Sequence, residues 1–169
     1  IEVIRHLRFF KDVQKQILKT IGETKPDRII LIDYPGFNLR LAKEIHQSYG
    51  IPITYYISPQ LWAWKENRVE SIRKYIDQML VIFPFEVAWY RERGVTAEFV
   101  GHPFLDEWTP TPRAELRSAL GLAEDHPLLT LFPGSRMQEI RRILPIILET
   151  VKLLRQRIPD LTVILGGAG

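Results

Sequence analysis

The apolar residues of this chain follow two spacings that succeed one another along its length. In some segments they recur every three or four residues, which is typical of one face of an amphipathic helix. Between these segments stand uninterrupted apolar runs, such as 29–32 and 79–83, bounded by turn-forming residues. Such runs predict buried strands, because they are expected where helices cover both faces of a parallel sheet.

The order of these segments predicts an alternating α/β chain. Helices are predicted at residues 1–22, 39–49, 67–75, 85–93, 113–120 and 137–157, and strands at residues 28–32, 53–57, 78–82, 97–100, 128–132 and 161–165. Strands joined by helices run parallel to one another, so the predicted fold class is α/β with doubly wound parallel sheets.

A hinge is predicted where prolines accumulate after the fourth strand. Gly101-His102-Pro103 is followed by Trp108 and a Thr-Pro-Thr-Pro segment, which breaks regular structure. We therefore expect two domains, 1–107 and 108–169. The helical pattern already present at residue 1 and the last strand running into Gly166 and Gly167 lead us to expect an internal segment of a longer protein.

Composition narrows the classes of protein that fit. The 169 residues are 46% hydrophobic and 25% charged, which is typical of a globular chain. A net charge of +3 suits acidic ligands or an anionic surface but falls short of a nucleic-acid-binding protein. The absence of cysteine excludes disulfides and thiolate chemistry, and we expect no cofactor and no metal. Since no apolar run reaches the roughly 18 residues that span a bilayer, a cytoplasmic protein is expected.

Residues 55–68 form the first candidate site. Two tryptophans, Trp62 and Trp64, stand between the Ser58-Pro59 turn and a basic stretch that includes Arg68, where a loop is ordinarily small and polar. The segment follows a predicted strand, and open α/β sheets bind ligands at the carboxyl ends of their strands. In an extended loop the two rings would point to opposite sides, one packed and one facing a cleft. The alternative is that both rings are packing residues under a long loop.

Residues 131–139 form the second candidate site. A predicted strand turns through Gly134 into a helix, for which Ser135 is the predicted N-cap and Gln138 completes a capping box. The free N–H groups and positive end of such a helix suit a phosphate, and Arg136 adds a bidentate donor. The alternative is an ordinary helix start.

Asp33 and His102 are the remaining candidates from the residues themselves. Asp33 ends a predicted buried strand, where a carboxylate can act as a general base or bind a sugar hydroxyl. Alternatively, Asp33 only caps the turn or the following helix. His102 either binds phosphate or substrate near the predicted hinge or satisfies loop backbone groups.

Several of these segments together resemble the lipid-A-disaccharide synthase family over nearly the whole chain. The motifs that carry the resemblance are Lys25-Pro26-Asp27, Ile32-Asp33-Tyr34-Pro35-Gly36-Phe37-Asn38, Tyr56-Ile57-Ser58-Pro59-Gln60-Leu61-Trp62-Ala63-Trp64, Arg68, Phe83-Pro84-Phe85-Glu86, Val100-Gly101-His102-Pro103 and Pro133-Gly134-Ser135-Arg136. The Ser-Pro-x-x-Trp-Ala-Trp block is the most specific of them. The resemblance implies a GT-B fold with two Rossmann-like halves, both incomplete in this segment.

The resemblance also implies an activity. Family members are inverting hexosyltransferases that join UDP-2,3-diacylglucosamine to 2,3-diacylglucosamine 1-phosphate and release UDP. By that resemblance residues 1–107 lie on the acceptor side and residues 108–169 begin the nucleotide-donor domain. The site residues implied for the donor diphosphate are Gly134, Ser135, Arg136 and Glu139, and those implied for the acceptor are Ser58, Trp62, Trp64, Arg68 and His102.

The general base is the point at which the chain departs from the family. Members often carry a second acid where this chain has Gly36, which leaves Asp33, with Asp27 next, as the expected catalytic residue. The isolated segment is expected to be inactive, because most of the nucleotide domain is missing from it.

Two other classes of function remain open from the sequence. One is a sugar-nucleotide epimerase of the same fold, and the other is a non-catalytic nucleotide-binding fragment. The tryptophan loop favours the glycosyltransferase, because an epimerase of soluble sugars has no need for an apolar acceptor cleft. Because both substrates carry acyl chains, we also expect a peripheral contact with the inner face of the cytoplasmic membrane.

Overall fold

The computed structural model describes residues 7–167. The chain divides into two compact units, Ile1–Trp108 and Thr109–Gly169. The boundary falls directly before the Thr-Pro-Thr-Pro segment, one residue beyond the expected division. Each unit contains its own parallel sheet.

The first unit alternates strands and helices around a four-stranded sheet. Its helices are α1 (Leu7–Thr24), α2 (Pro35–Tyr49), α3 (Val69–Tyr75), α4 (Pro84–Arg91) and α5 (Phe104–Glu107), and its strands are β1 (Ile29–Ile32), β2 (Ile53–Tyr56), β3 (Gln78–Val81) and β4 (Ala97–Phe99). The strands are all parallel and lie in the order β1-β2-β3-β4.

One face of this sheet carries the hydrophobic core. Leu31, Tyr55 and Met79 are register neighbours on three adjacent strands, and all three are buried. Parallel strands added in sequence by right-handed crossovers place the intervening helices on a single face. Residues of α1 to α4, including Ile45 and Ile72, join the same core cluster. The fold thus aligns the carboxyl ends of all four strands at one edge.

On the opposite face of the sheet, the side chains of β1 are exposed. Ile30 and Ile32 of β1 point to that face and are 62% and 56% exposed. The apolar runs predict cover on both faces, whereas the first unit covers β1 on one face only. The apolar character of β1 is therefore only half explained by the helices present.

The second unit contains a two-stranded sheet and its connecting helix. It is built from α6 (Arg113–Ala119), β5 (Leu128–Leu131), α7 (Met137–Arg157) and β6 (Thr162–Leu165). The strands pair in parallel from Leu128 opposite Thr162 to Leu131 opposite Leu165. The predicted parallel α/β fold class is confirmed in both units, and it is consistent with a partial Rossmann-like fold of the GT-B type.

Three local features differ from the predicted elements. Helix α2 begins at Pro35 rather than at residue 39, because proline at the first helical position is preset for helical φ. A 3-10 turn, Glu66–Arg68, precedes α3, so the regular helix begins two residues later than predicted. The short helix α5 lies where the sequence predicts only a hinge.

Candidate functional site

Four loops meet at the carboxyl edge of the first sheet. They follow β1 at Asp33, β2 at Ile57, β3 at Phe83 and β4 at His102. Because the strands are parallel and adjacent, these loops share one edge, which is the usual ligand-binding position in an open α/β sheet.

The backbone at Asp33 is held in an unusual conformation. Asp33 and the following Tyr34 both have positive φ, 46° and 45°. The Asp33 carbonyl oxygen accepts hydrogen bonds from the Tyr55 hydroxyl at 2.5 Å and from Asn38 Nδ2 at 2.7 Å. Asn38 Nδ2 also donates to the Ile32 carbonyl at 3.0 Å. The main chain is thereby fixed while the Asp33 side chain is exposed.

The alternative capping role for Asp33 is not observed. The N-cap of α2 is Tyr34, and no side chain caps that helix. The Asp33 carboxylate is therefore left exposed at the sheet edge.

Positive φ is concentrated in the first two loops. Five non-glycine residues within 7–167 have positive φ, and four of them, Asp33, Tyr34, Ile57 and Lys65, lie after β1 or β2. Each such residue costs about 1–3 kcal/mol, and the cost is highest for a β-branched residue such as Ile57. Strain of this kind persists only where surrounding contacts impose it, and it is common at functional sites.

The tryptophan loop is a turn rather than an extended segment. The Gln60 carbonyl accepts hydrogen bonds from the Ala63 N–H at 3.1 Å and the Trp64 N–H at 3.4 Å. Trp62 is 42% exposed and Trp64 is 58% exposed. The expectation that one ring packs and the other faces outward is wrong, because the turn leaves both rings partly in solvent.

The two tryptophans nevertheless have different surroundings. Trp62 meets Phe85 edge to face, with 5.3 Å between ring centroids. Trp64 lies beneath two cations, with Lys65 Nζ 4.3 Å and the Arg68 guanidinium carbon 5.8 Å from its ring centroid. Trp62 is thus part of an apolar contact, whereas Trp64 is part of a cation–π cluster.

Trp62 begins a continuous row of rings along the carboxyl edge. Phe85 stacks on Phe83 at 5.8 Å, Phe83 lies 5.9 Å from His102, and His102 lies 5.0 Å from Phe104. We call these five residues the aromatic row. The sequence did not single out Phe83, Phe85 and Phe104 as site residues. The Phe83-Pro84-Phe85 pattern after β3 was the available signal.

His102 has one ring nitrogen committed to the backbone. Its Nδ1 accepts a hydrogen bond from the Phe104 N–H at 3.2 Å. In the neutral ring this places the proton on Nε2, which makes Nε2–H a hydrogen-bond donor. The structure shows the backbone-satisfying role expected for His102 at Nδ1, and Nε2 has no hydrogen-bond partner within residues 7–167.

Ser58 lies inside the fold rather than at the surface of the site. Its side chain is buried and donates to the Glu86 carboxylate at 2.5 Å. The next residue, Pro59, accepts a hydrogen bond from the Tyr90 hydroxyl through its carbonyl at 3.2 Å. Ser58 therefore anchors the tryptophan loop, and its expected contact with a ligand does not fit this geometry.

Asp33 and Arg68 both affect the pKa of the Tyr55 hydroxyl. Burial raises the pKa of the Tyr55 hydroxyl, the Asp33 charge raises it further, and Arg68 lowers it. Two of the site residues predicted from separate loops thus act electrostatically on one buried hydroxyl.

Asp27 is not part of this group. It is exposed and precedes β1, so it lies at the amino end of the strand that ends before Asp33. The four strand residues between them, at about 3.3 Å each, separate the two aspartates by more than about 13 Å. The structure does not bring Asp27 to the edge where Asp33 lies.

The loop after β5 needs glycine at one position. Gly134 has φ of 109°, and a Cβ at this position would lie 2.7 Å from Glu139 Oε2. The helix that follows has Arg136 as its N-cap and Glu139 at the third position. The predicted N-cap Ser135 and its partner Gln138 are therefore each one residue too early.

Arg136 and Glu139 form an ion pair at the start of α7. The Glu139 carboxylate accepts hydrogen bonds from the Arg136 N–H at 3.3 Å and from the guanidinium at 3.0 Å. The hydrogen bond from the Arg136 N–H is the main cause of a lowered pKa at Glu139. The Arg136 side chain is 82% exposed. Glu139 thus caps the helix and orients Arg136, and its negative charge does not suit direct contact with a diphosphate.

Two glycine loops enclose a depression at the carboxyl ends of β5 and β6. Its volume is about 330 Å³, and it is lined by Phe132, Gly134, Ser135, Gly166 and Gly167. A Cβ at Gly166 would lie 2.5 Å from the Phe132 ring, so only glycine allows this close approach. The sequence indicates Gly166 and Gly167 only as a turn after the last strand, and the β5–β6 pairing places them beside the predicted anion site.

The part of the chain that the structure describes has neither a metal-binding cluster nor a helix able to span a membrane. Within residues 7–167 there is no group of three or more His, Asp or Glu side chains able to hold a metal ion. No helix in that range combines the length and apolar character required to cross a bilayer.

The fold and the two strand-end sites define an α/β protein with candidate ligand-binding loops at the carboxyl edges of parallel sheets. The profile of the Lipid-A-disaccharide synthetase family matches residues 1–168, and the chain belongs to that family. The chain is 44% identical to the lipid-A-disaccharide synthase of Myxococcus xanthus over 164 residues, which cover 96% of this chain and 43% of that protein.

Other relatives give the same result. A lipid-A-disaccharide synthase of Geobacter metallireducens is 44% identical over 98% of this chain and 43% of its own length. One from Coxiella burnetii is 40% identical over 98% of this chain and 44% of its own length. The chain therefore spans less than half the length of these relatives.

Alkaline pH is expected to weaken the first unit through its two buried tyrosines. Burial raises the pKa of Tyr55 and Tyr90 above the ordinary value of 10.0. Above pH 10.0 the tyrosines of the unfolded chain release protons that the folded chain keeps, so the free energy of unfolding falls as pH rises. Below pH 10.0 these two hydroxyls do not change the free energy of unfolding with pH. Denaturant unfolding across this range measures the slope, which Tyr55→Phe and Tyr90→Phe should each reduce. A slope that neither variant changes would contradict the assignment.

Proposed function

We propose that the complete protein containing this chain is an inverting glycosyltransferase of lipid A assembly. It transfers diacylglucosamine from a UDP donor to an acylated glucosamine 1-phosphate and releases UDP. Family membership supports this proposal, and one structural observation carries it. The exposed Asp33 carboxylate extends from a fixed main chain at the same carboxyl sheet edge as the loops that carry the aromatic row and Arg68.

Asp33 is the proposed general base. An inverting transfer needs a general base, such as a carboxylate, that takes the proton from the attacking acceptor hydroxyl as the sugar–phosphate bond on the opposite face breaks. The Tyr55 and Asn38 hydrogen bonds fix the Asp33 main chain. The Cα from which the carboxylate extends therefore has a defined position. Gly36 supplies no second acid, and Asp27 lies at the other end of β1.

The acceptor is proposed to lie along the aromatic row and the cation–π cluster. Trp62 and its neighbouring rings offer apolar area for an acyl chain. Lys65 and Arg68 beside Trp64 offer positive charge for the acceptor phosphate. The His102 Nε2–H adds a donor for a sugar oxygen. An epimerase of soluble sugars would have no use for the apolar part of this surface.

The donor diphosphate is proposed to bind at the depression between the two glycine loops. Gly134 and Gly166 allow an approach of ligand to backbone that side chains would block. Arg136 supplies the cation at the helix start, and Glu139 holds the guanidinium in place. The diphosphate would take the position in front of Arg136, away from the Glu139 carboxylate.

A peripheral contact with the inner face of the cytoplasmic membrane is part of the same proposal. Both proposed substrates carry acyl chains that reside in a bilayer, so the enzyme must reach its surface. A net charge of +3 favours approach to anionic lipid.

Asp33→Asn should abolish most of the turnover without affecting donor binding. The amide keeps the size of the side chain but cannot accept the proton, so kcat should fall by about 10²- to 10⁴-fold. Disaccharide formation by the complete protein measures kcat, and UDP titration measures donor binding. Asp27→Asn is the matched control and should retain activity. Normal kcat in Asp33→Asn would remove this residue from the role of base.

Arg136→Ala should weaken UDP binding by roughly tenfold or more, because it removes a charge-assisted hydrogen bond to the diphosphate. Calorimetric titration with UDP gives the dissociation constant. Arg141→Ala, which removes an exposed arginine one turn further along α7, is the control and should leave it unchanged. Glu139→Gln retains an oxygen for the Arg136 N–H but loses the ion pair that holds the guanidinium, so it should weaken UDP binding less than Arg136→Ala does. Equal affinity in wild type and Arg136→Ala would refute the donor assignment.

Trp62→Ala and Trp64→Ala should affect the acceptor in different ways. Neither ring is buried, so neither change should cost the about 3–5 kcal/mol typical of a core aromatic residue. Trp62→Ala should raise KM most for acceptors with long acyl chains, and Trp64→Ala should raise KM most for acceptors that carry the phosphate. A series of acceptors with shortened chains or no phosphate separates the two effects. Identical KM changes across the series would argue against distinct roles.

A further inference from the structure

Glu86 is a buried carboxylate with no role in the proposed chemistry. Its side chain is 1% exposed, and no other acidic residue is buried within residues 7–167. It occupies the third position of α4, directly after Phe85 of the aromatic row, and Phe83 is the N-cap of the same helix.

The two carboxylate oxygens of Glu86 bind two different loops. Oε1 accepts the Ser58 hydroxyl at 2.5 Å, and Oε2 accepts the Phe83 N–H at 3.1 Å. The first distance is in the range of a charge-assisted O–H···O bond. One side chain thus joins the loop after β2 to the loop after β3.

The same helix holds the tryptophan loop at further points. The Tyr90 hydroxyl, one turn after Glu86, donates to the Pro59 carbonyl at 3.2 Å. At the far end of the loop, Arg93 Nε donates to the Glu66 carboxylate at 2.7 Å. Residues 58–66 are therefore attached to α4 and the turn after it at both ends.

Stability alone is a poor explanation for a carboxylate in this position. Removing a carboxylate from water is costly, and replacing buried charged groups by well-packed apolar residues is often neutral or stabilising. The bonds of Glu86 instead fix a geometry. They set the separation of the Ser58-Pro59 turn from Phe83, and thereby the 5.3 Å contact of Trp62 with Phe85.

We propose that Glu86 is a positioning residue for the lipid acceptor, acting through Ser58 and Phe83 on the aromatic row. This inference rests on the proposed function, because it assigns the row to the acyl part of the acceptor. Glu86 touches neither substrate. Its effect is to keep rings from two loops in one surface on which an apolar chain can lie.

Glu86→Gln in the complete protein tests this role. Glutamine preserves the shape, but its single carbonyl oxygen can accept from only one of the two donors. Because the Phe83 N–H can only donate, we expect it to keep its hydrogen bond to the glutamine oxygen. The glutamine NH₂ group then faces the Ser58 hydroxyl. The acceptor KM should rise about tenfold through the loss of a charge-assisted bond, while kcat and the donor KM stay within about twofold of wild type.

Two further variants guard against a merely structural effect. Ser58→Ala removes the same bond from the other side and should reproduce the KM change, and the double variant should be no worse than either single one. Glu92→Gln alters an exposed glutamate that pairs with Arg93 and should leave the acceptor KM unchanged. If Glu86→Gln does not fold, Ser58→Ala alone carries the test.

The outcomes separate this inference from the proposed function. A lower Tm with an unchanged acceptor KM in Glu86→Gln and Ser58→Ala would leave Glu86 as a structural residue and overturn the inference. A wild-type complete protein that forms no disaccharide would overturn the proposed function, and the inference with it. A selective rise in acceptor KM that is not additive between the two variants supports the positioning role.

Discussion

The hydrogen bonds to the Asp33 carbonyl oxygen are the constraint on which the first site depends. Two donors reach this oxygen, Tyr55 from the neighbouring strand and Asn38 from the helix that follows. They hold Asp33 and Tyr34 in left-handed conformations that neither residue prefers. Burial of Tyr55 raises the pKa of its hydroxyl, so the hydroxyl remains a donor up to strongly alkaline pH. The strained main chain leaves the Asp33 carboxylate in solvent at the sheet edge, where a ligand can reach it.

A second constraint recurs at the start of two helices. Glu86 in α4 and Glu139 in α7 both occupy the third helical position, and each accepts the N–H of its own N-cap, Phe83 or Arg136. The second hydrogen-bond partner of each carboxylate differs with its burial. The buried Glu86 carboxylate also accepts the Ser58 hydroxyl of another loop, whereas the Glu139 carboxylate, at the surface, also binds and orients the Arg136 guanidinium. The same local device therefore organises an apolar surface in one unit and a charged one in the other.

The sequence predicted the elements better than the contacts between loops. Helices and strands follow from the spacing of apolar residues within short windows, and almost every predicted element is present. The predictions that failed concern site residues whose positions depend on partners far away in the sequence, outside such windows. Ser58 is withdrawn from the surface by a residue 28 positions away, and the row from Trp62 to Phe104 joins loops that only the sheet brings together. The turn at Gln60 is local, but proline and two tryptophans do not distinguish it from an extended loop.

Gly36 shows how structure refines a difference from the family pattern. It is the second residue of α2, and a Cβ at this position would meet nothing within 4 Å. The site thus has room for the first atom of a side chain, and an acid there would be favoured by the positive end of the helix dipole. Glycine is therefore not required by packing, and its presence removes a carboxylate without reshaping the loop. The proposed catalytic role then depends on one carboxylate, Asp33, whose position is fixed through its own main chain rather than through a neighbouring acid.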